Sequence, residues 1–196
     1  MPANETTLDF VHRTFARTET PLTFAEIGVD KGDTSLELAR FLNGRGTLHL
    51  FDYEDVALRV RDRLAAQGLE NVVVHGCSRC SHDSYNWNLM RLLRDTPELR
   101  FDYVYLDGAH TWEIDGLAFF LCDMLLQPQG FIDFDDYYWS HAASPTCNPE
   151  SFPGITRLYT AEQIATPQVA LVVDLLVRRS GRYREVLRDK VFMRMA

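Results

Sequence analysis

The sequence predicts an α/β fold, a Rossmann-like, doubly wound, mostly parallel sheet with helices on both faces, in a single domain spanning residues 1–196. Three observations carry this expectation. Five short apolar segments are each followed by polar residues or glycine, stretches of helical period lie between them, and no repeat or long polar linker breaks the alternation. Parallel neighbours need a crossover of about a dozen residues or more, which a helix supplies, so strictly alternating elements specify this architecture.

Taken in order, the strands are expected at Thr23 to Ile27, Thr47 to Phe51, Asn71 to His75, Phe101 to Leu106 and Gly130 to Phe134. The first helix between them, Thr34 to Leu42, opens on a hydroxyl and stops at Asn43-Gly44, a pair suited to a left-handed C-cap. The next, Asp55 to Gln67, begins with Asp and ends at Gly68. Asn86 to Arg94 and Glu113 to Leu126 follow, the second halted near Pro128, which cannot donate a helical hydrogen bond. Residues 140–154, SHAASPTCNPESFPG, are rich in Pro, Ser and Gly and read as an irregular, mobile surface loop. Beyond it, Thr160 with Gln163 forms a candidate capping box, Pro167 marks a first helical turn, and that helix is expected to end near Gly181. The run Val169 to Val177 has strand-like composition, and Pro167 decides for helix; a last strand is expected near Lys190 to Met195.

Composition bounds the function. The chain carries 28 acidic against 20 basic residues, a net charge of −8. Nucleic-acid binders need a basic face to displace phosphate counterions, so a small molecule or a metal ion is the expected partner. Hydrophobic residues make up 46% and aromatics 12%, too rich for disorder. No run reaches the roughly 20 apolar residues a membrane span requires, and the N-terminal stretch lacks the pattern of a signal peptide. Four cysteines are too few for a disulfide scaffold and fit a reducing compartment, so a soluble cytoplasmic protein is expected.

The first strand runs into FAEIGVDKGDTSLELARFL. In an open parallel sheet ligands bind beyond the carboxyl ends of the strands, and glycine lets the backbone turn there and approach a ligand closely. Gly28 and Gly32 supply this at a four-residue spacing, and Thr34 or Ser35 can present a hydroxyl where free helical N–H groups attract a carboxylate or phosphate. Two such glycines also describe an ordinary tight turn. The second strand, however, ends at Asp52, where a carboxylate can accept from both hydroxyls of a ribose. Dinucleotide sites use G-x-G-x-x-G, which is absent here, and Asp30 and Asp33 would repel a pyrophosphate. A nucleoside bearing an amino acid tolerates them, and its ammonium can pair with Glu26.

These residues resemble the first motif of the class I S-adenosylmethionine-dependent methyltransferases, acidic-x-Gly-x-x-x-Gly, and the resemblance runs from about Phe24 to Trp139. It implies that Glu26, Gly28 and Gly32 form the cofactor loop, that Thr34 holds the methionine carboxylate, that Asp52 holds the ribose and that Ser78, in HGCS, flanks the adenine.

The fourth strand ends in FDYVYLDGAHTWE and the fifth in GFIDFDDYYW. These ends are neighbours in a doubly wound sheet, so Asp107, Asp135 and Asp136 converge and repel one another unless a cation intervenes. Oxygen-only ligation selects a hard divalent ion such as Mg2+, Ca2+ or Mn2+ over zinc. Helix capping by these aspartates is the plainer alternative. DGAH and FDDYYW are similar to the metal-dependent O-methyltransferases of the catechol and sugar-modifying types. That resemblance implies a cation on Asp107, Asp135 and Asp136 and makes His110 the base that deprotonates the acceptor hydroxyl. Some sugar-modifying members place another Asp at the position of Ala109, a departure that leaves His110 as the base.

The expected activity is therefore an S-adenosylmethionine- and divalent-metal-dependent O-methyltransferase acting on a small hydroxylated acceptor, a sugar-bearing natural product or a catechol-like compound. Two rivals stand beside it, a nicotinamide-dependent oxidoreductase and a non-catalytic S-adenosylmethionine-binding module. His75, Cys77, Cys80 and His82 make a weaker zinc or redox candidate, since a single C-x-x-C lacks a second pair. Tyr137, Tyr138, Trp139 and His141 are candidates for an acceptor wall or for packing. A chain of this size leaves the cover of the site to the N-terminal helix, the 140–154 loop or a second copy in a homo-oligomer.

Overall fold

A computed structural model describes residues 5–196. Helix α1 (Thr7–Phe15) opens with a reciprocal Thr6–Asp9 capping box and buries Phe10, Val11 and Phe15. Then follow β1 (Leu22–Ile27), α2 (Asp33–Leu42), β2 (Gly46–Tyr53), α3 (Glu54–Ala65), β3 (Val72–Cys77), α4 (Tyr85–Asp95), β4 (Phe101–Leu106), α5 (Trp112–Leu125) and β5 (Leu126–Phe134). All five expected strands and the helices between them are present, shifted by a few residues at their ends. The sheet order is β3-β2-β1-β4-β5, all parallel, with the order reversing between β1 and β4. That reversal opens a crevice above the carboxyl ends of β1 and β4.

Each strand sorts its side chains to two faces, because successive Cβ atoms point to opposite sides of a pleated sheet. Phe24, Leu48, Leu50 and Tyr103 join α1, α2 and α3 in one core. Ala25, Phe51, Val104, Leu106 and Phe134 join α4 and α5 in the other. With both faces covered, Phe24 to Ile27 are all buried, which is why β1 reads as a continuous apolar run interrupted only by Glu26.

Helix α5 passes into β5 without a loop, and the start of β5 is irregular. Leu126 pairs with Phe101, and regular pairing resumes only at Phe131 opposite Tyr103. Pro128 cannot donate to the ladder and Gln129 has φ 65°, so the segment bulges. The sequence places the strand start at Gly130 because the regular part begins there.

The C-terminal region completes the sheet. The 140–154 segment holds a 3-10 turn at His141–Ala143, the start of another at Pro153–Arg157, and a hydrogen-bonded knot in which Asn148 Nδ2 donates to Ser144 O at 2.7 Å. Helix α6 (Ala161–Ala165) starts on the expected Thr160–Gln163 capping box. Helix α7 (Gln168–Leu171) continues as a π-helical turn over Val172–Val177 and a 3-10 turn over Arg178–Ser180, ending at left-handed Gly181. Val169 to Val177 is thus helical, as Pro167 indicates. Strand β7 (Val191–Arg194) lies antiparallel to β5, and β6 (Tyr183–Leu187) forms the outer edge beside it. The sequence misses β6 because YREVL on an exposed edge carries charges that hide its alternation. Among the described residues no helix is long and apolar enough to cross a membrane.

Candidate active site

The crevice is a cleft of about 750 Å³ lined by Glu26, Gly28, Gly32, Thr34, Asp52, Asp107 and His110 among others. Its floor depends on two glycines with positive φ. A Cβ built on Gly28 (φ 86°) would fall on the Asp107 carbonyl oxygen, and one on Gly32 (φ 77°) would lie 2.6 Å from Val60 Cγ1. Glycine at 28 therefore lets the ends of β1 and β4 close together. Glycine at 32 lets α2 settle on α3. Gly32 offers α2 no side-chain cap, which leaves the first amides of this helix free beside Thr34.

Asp52, at the end of β2, reaches back to this loop. Its Oδ2 accepts from the amides of Val29 at 2.9 Å and Asp30 at 3.2 Å, and its Oδ1 from Tyr53 at 2.6 Å. Asp30 holds φ 40° within that clamp. Glu26 is 1% exposed at the bottom of the cleft, and its Oε2 has no hydrogen-bond partner. Burial pushes its carboxyl up to about 8, and the charges of Asp107 and Asp52 add to the effect. An orphaned buried carboxyl of this kind is suited to a ligand cation. Ser78 borders a hollow that adjoins the main cleft, sharing Cys80, Ser81 and Asp83 with it, and Asp83 accepts its backbone N–H at 2.7 Å.

At the other end of the cleft β4 and β5 run side by side, and the Asp135 amide donates to the Leu106 carbonyl at 3.1 Å. This brings Asp107, His110 and Asp136 together, with one ligand atom of each within 4.8 Å of the others. Burial pushes the Asp107 carboxyl up to about 6, Asp135 and Asp136 reinforcing it and His110 opposing it. Asp135 stands outside that group, with its Oδ1 3.4 Å from Lys190 Nζ, while its charge still acts on Asp107. Lys190, in the turn between β6 and β7, also pairs with the fully buried Asp133 at 2.9 Å. Sequence reading misses Lys190 because nothing local in the chain connects it to the aspartates.

The aromatic run after Asp136 divides. Trp139 packs on His110 with ring centroids 5.2 Å apart, and His141 follows at 4.8 Å from Trp139. Tyr137 and Tyr138 turn away to Asp174 and Asp189. The H-x-C-x-x-C-x-H cluster does not assemble as a ligand set among the described residues. His75 meets His49 instead, Nε2 to Nδ1 at 2.9 Å, and Cys77 and Cys80 are free thiols.

With this geometry in view, the family comparison is decisive, because the methyltransferase-domain family matches residues 25–137, from β1 through the aspartates after β5. The chain belongs to that family. The methyltransferase shares its fold with solved structures of low sequence identity. One is a protein of Staphylococcus aureus provisionally assigned as a caffeoyl-CoA O-methyltransferase, at 17% identity and TM-score 0.63, covering 96% of this chain and 82% of that one. Another is the O-methyltransferase TomG of Streptomyces achromogenes, involved in tomaymycin synthesis and solved with S-adenosylmethionine, at 18% identity and TM-score 0.59, covering 100% and 93%. A third, provisionally assigned as an rRNA methylase, comes from Clostridium thermocellum, at 16% identity and TM-score 0.52, covering 79% and 81%. No curated protein sequence matches the methyltransferase.

Proposed function

We propose that this methyltransferase moves the methyl group of S-adenosylmethionine to a hydroxyl oxygen of a small molecule, assisted by a divalent cation. The observation that carries the reading is the position of Asp107. It lines the cleft beside Glu26 and Gly28 and also belongs to the cluster with His110 and Asp136, so a donor site and a hydroxyl-activating site share one wall.

On the donor side, Glu26 pairs with the ammonium of the methionine moiety, the free amides of α2 beside Thr34 take its carboxylate, and Asp52 takes the ribose hydroxyls. The residues at the opposite end fit a cation by their chemistry. Asp107 and Asp136 offer hard oxygen ligands of the kind Mg2+ or Mn2+ takes, and His110 stands beside them. When bound, S-adenosylmethionine supplies an electrophilic methyl and the cation supplies charge that makes an acceptor hydroxyl more acidic. Asp107 and Asp136 hold that charge in place. His110 stands beside the acceptor position to take its proton, and Trp139 shields the imidazole from one side. The expected acceptor is a small hydroxylated molecule, a sugar-bearing natural product or a catechol-like ring. The nicotinamide reading has no support in the family match.

The test is a titration with S-adenosylhomocysteine, followed by transfer from tritiated S-adenosylmethionine to catechols, glycosylated natural products and rRNA, with Mn2+, Mg2+ or EDTA. Binding of the demethylated cofactor and EDTA-sensitive labelling of a hydroxylated small molecule support the proposal. Labelling of rRNA alone overturns the acceptor, labelling unchanged by EDTA overturns the cation, and cofactor binding without transfer to any of them favours the non-catalytic module.

A further inference from the structure

Between β4 and α5 the chain makes a five-residue loop, 107–111, whose amides are held from below by two buried side chains that the reaction does not use. Tyr85, 7% exposed, is the first residue of α4, and Asp115, 2% exposed, lies in the first turns of α5. The Tyr85 hydroxyl accepts the Ala109 N–H at 3.0 Å and donates to Asp115 Oδ1. The other carboxylate oxygen of Asp115 accepts the Thr111 N–H at 3.2 Å. The two amides so held are those immediately before and after His110, whose φ of 56° is costly for a residue with a Cβ. Space is fitted as closely as the hydrogen bonds. A Cβ on Gly108 would collide with the Tyr85 hydroxyl and come within 2.9 Å of Asp115 Oδ1.

We propose that Tyr85 and Asp115 are positioning residues, which lock the 107–111 loop so that Asp107 and His110 face Asp136. The proposal rests on the reading of that cluster as a cation site. Neither side chain touches the reacting atoms in this role; each acts through backbone amides. Groups one shell out from metal ligands commonly change metal affinity about 10–100-fold when removed, because they fix ligand orientation. Without the Tyr85 hydroxyl the Ala109 amide keeps only its longer, 3.4 Å bond to Asp115 Oδ1, and the left-handed turn at His110 loses the closer contact that balances its strain.

The experiment uses Tyr85→Phe and Asp115→Asn in the full chain, with Tyr183→Phe as a control. Tyr183 is a half-buried tyrosine whose hydroxyl donates to Asp123 at 2.6 Å in the C-terminal part of the sheet, so it reports on the general cost of losing a tyrosine–aspartate bond. Three readouts are taken: Mn2+ affinity by electron paramagnetic resonance, S-adenosylhomocysteine affinity by calorimetry, and amide hydrogen exchange at Ala109 and Thr111 without metal. Tyr85→Phe is expected to weaken Mn2+ binding at least tenfold, to leave S-adenosylhomocysteine affinity within threefold, and to speed Ala109 exchange at least tenfold. Asp115→Asn should speed exchange at both amides, and Tyr183→Phe should leave both unchanged. If Asp115→Asn does not fold, Tyr85→Phe decides. A folded Tyr85→Phe protein with wild-type exchange at Ala109 overturns the proposal, as does faster exchange with unchanged Mn2+ affinity. If the wild-type protein binds no Mn2+, the cation half of the proposed function falls, and the exchange data alone judge whether these residues lock the loop.

Discussion

His110 and Asp136 face each other across the ends of β4 and β5, Nε2 to Oδ2 at 3.5 Å, and both hold the left-handed backbone, at φ 56° and 57°. Non-glycine residues adopt this region at a cost of about 1 kcal/mol or more, and such strain gathers where side chains must be aimed. Two strained residues meeting head to head, each from a different strand end, mark this point as the one the fold is built to hold. His110 Nε2 lies equally close to Asp107 Oδ1, at 3.6 Å, so the imidazole bridges both carboxylates.

The first prediction follows from that bridge. His110→Asn keeps a side chain that tolerates the left-handed backbone while removing the imidazole. We expect turnover to fall about 10²–10⁴-fold, the range for losing a positioned base, with S-adenosylhomocysteine affinity within threefold of wild type. Single-turnover kinetics and calorimetry measure the two quantities. Turnover within threefold of wild type would rule out His110 as the group that takes the proton.

Glu26 gives the second. Its carboxyl, pushed up to about 8 by burial, is mostly protonated at pH 7 in the free protein, whereas an ammonium partner favours the ionised form. Cofactor binding should therefore release up to about one proton near pH 7, and affinity should climb as pH rises toward 8. Calorimetry in buffers of different ionisation enthalpy reads the proton directly. Glu26→Gln should abolish the release and weaken binding about 10–100-fold, the loss expected when a buried charge partner is removed. A wild-type protein that binds S-adenosylhomocysteine with no proton exchange contradicts this assignment.

How far the site could be read from the chain depends on how its residues are brought together. Gly28, Gly32 and Asp52 were legible because each sits at a strand end or in the turn after one, and a parallel sheet places those ends side by side. Asp107, His110 and Asp136 were legible for the same reason, through the adjacency of β4 and β5. What local sequence could not show is the contact of Asp135 with Lys190, 55 residues later in a hairpin turn. Nor could it show that His75 abandons the cysteines, since its partner His49 comes from the neighbouring strand and pairs with it diagonally, His49 standing opposite Val73. Nor could spacing show how the loop after β3 is held, since there Asp83 accepts the Ser78 amide, a contact no spacing rule specifies.

The His49–His75 pair supplies the third prediction. Burial lowers both imidazoles to about 4, and at 2.9 Å between nitrogens they can share a single proton but not carry two. The charge of Arg91 adds to the effect on His75. Their folded pKa lies below the unfolded value near 6.5, so the unfolded chain binds more protons between pH 6.5 and 4. Stability is accordingly unaffected above pH 6.5 and falls through that window, by several kcal/mol for the pair on an order-of-magnitude basis. Urea unfolding at pH 7.5 and 4.5 measures the slope, and His75→Gln should remove roughly half of it. An unchanged slope in a folded His75→Gln protein assigns the acid sensitivity elsewhere.

Lys190 supplies the fourth. Asp133 is fully buried in β5, where it accepts from Tyr103 at 2.6 Å and from Thr7 at 3.0 Å, and Lys190 is its only ion-pair partner among the described residues. Lys190→Met keeps most of the aliphatic stem and deletes the charge, leaving a carboxylate in the core without a cation. Removing one member of such a pair costs about 3–5 kcal/mol, far more than the pair itself is worth. Adding Asp133→Asn should recover part of that loss, since a neutral amide no longer needs the cation, and chemical denaturation of both variants measures it. Lys190→Met also frees Asp135 from its 3.4 Å contact, so the single variant should bind Mn2+ more tightly than wild type as a competing cation beside the cluster is lost. A single variant as stable as wild type would show that Tyr103 and Thr7 suffice to hold Asp133, and that Lys190 serves Asp135 alone.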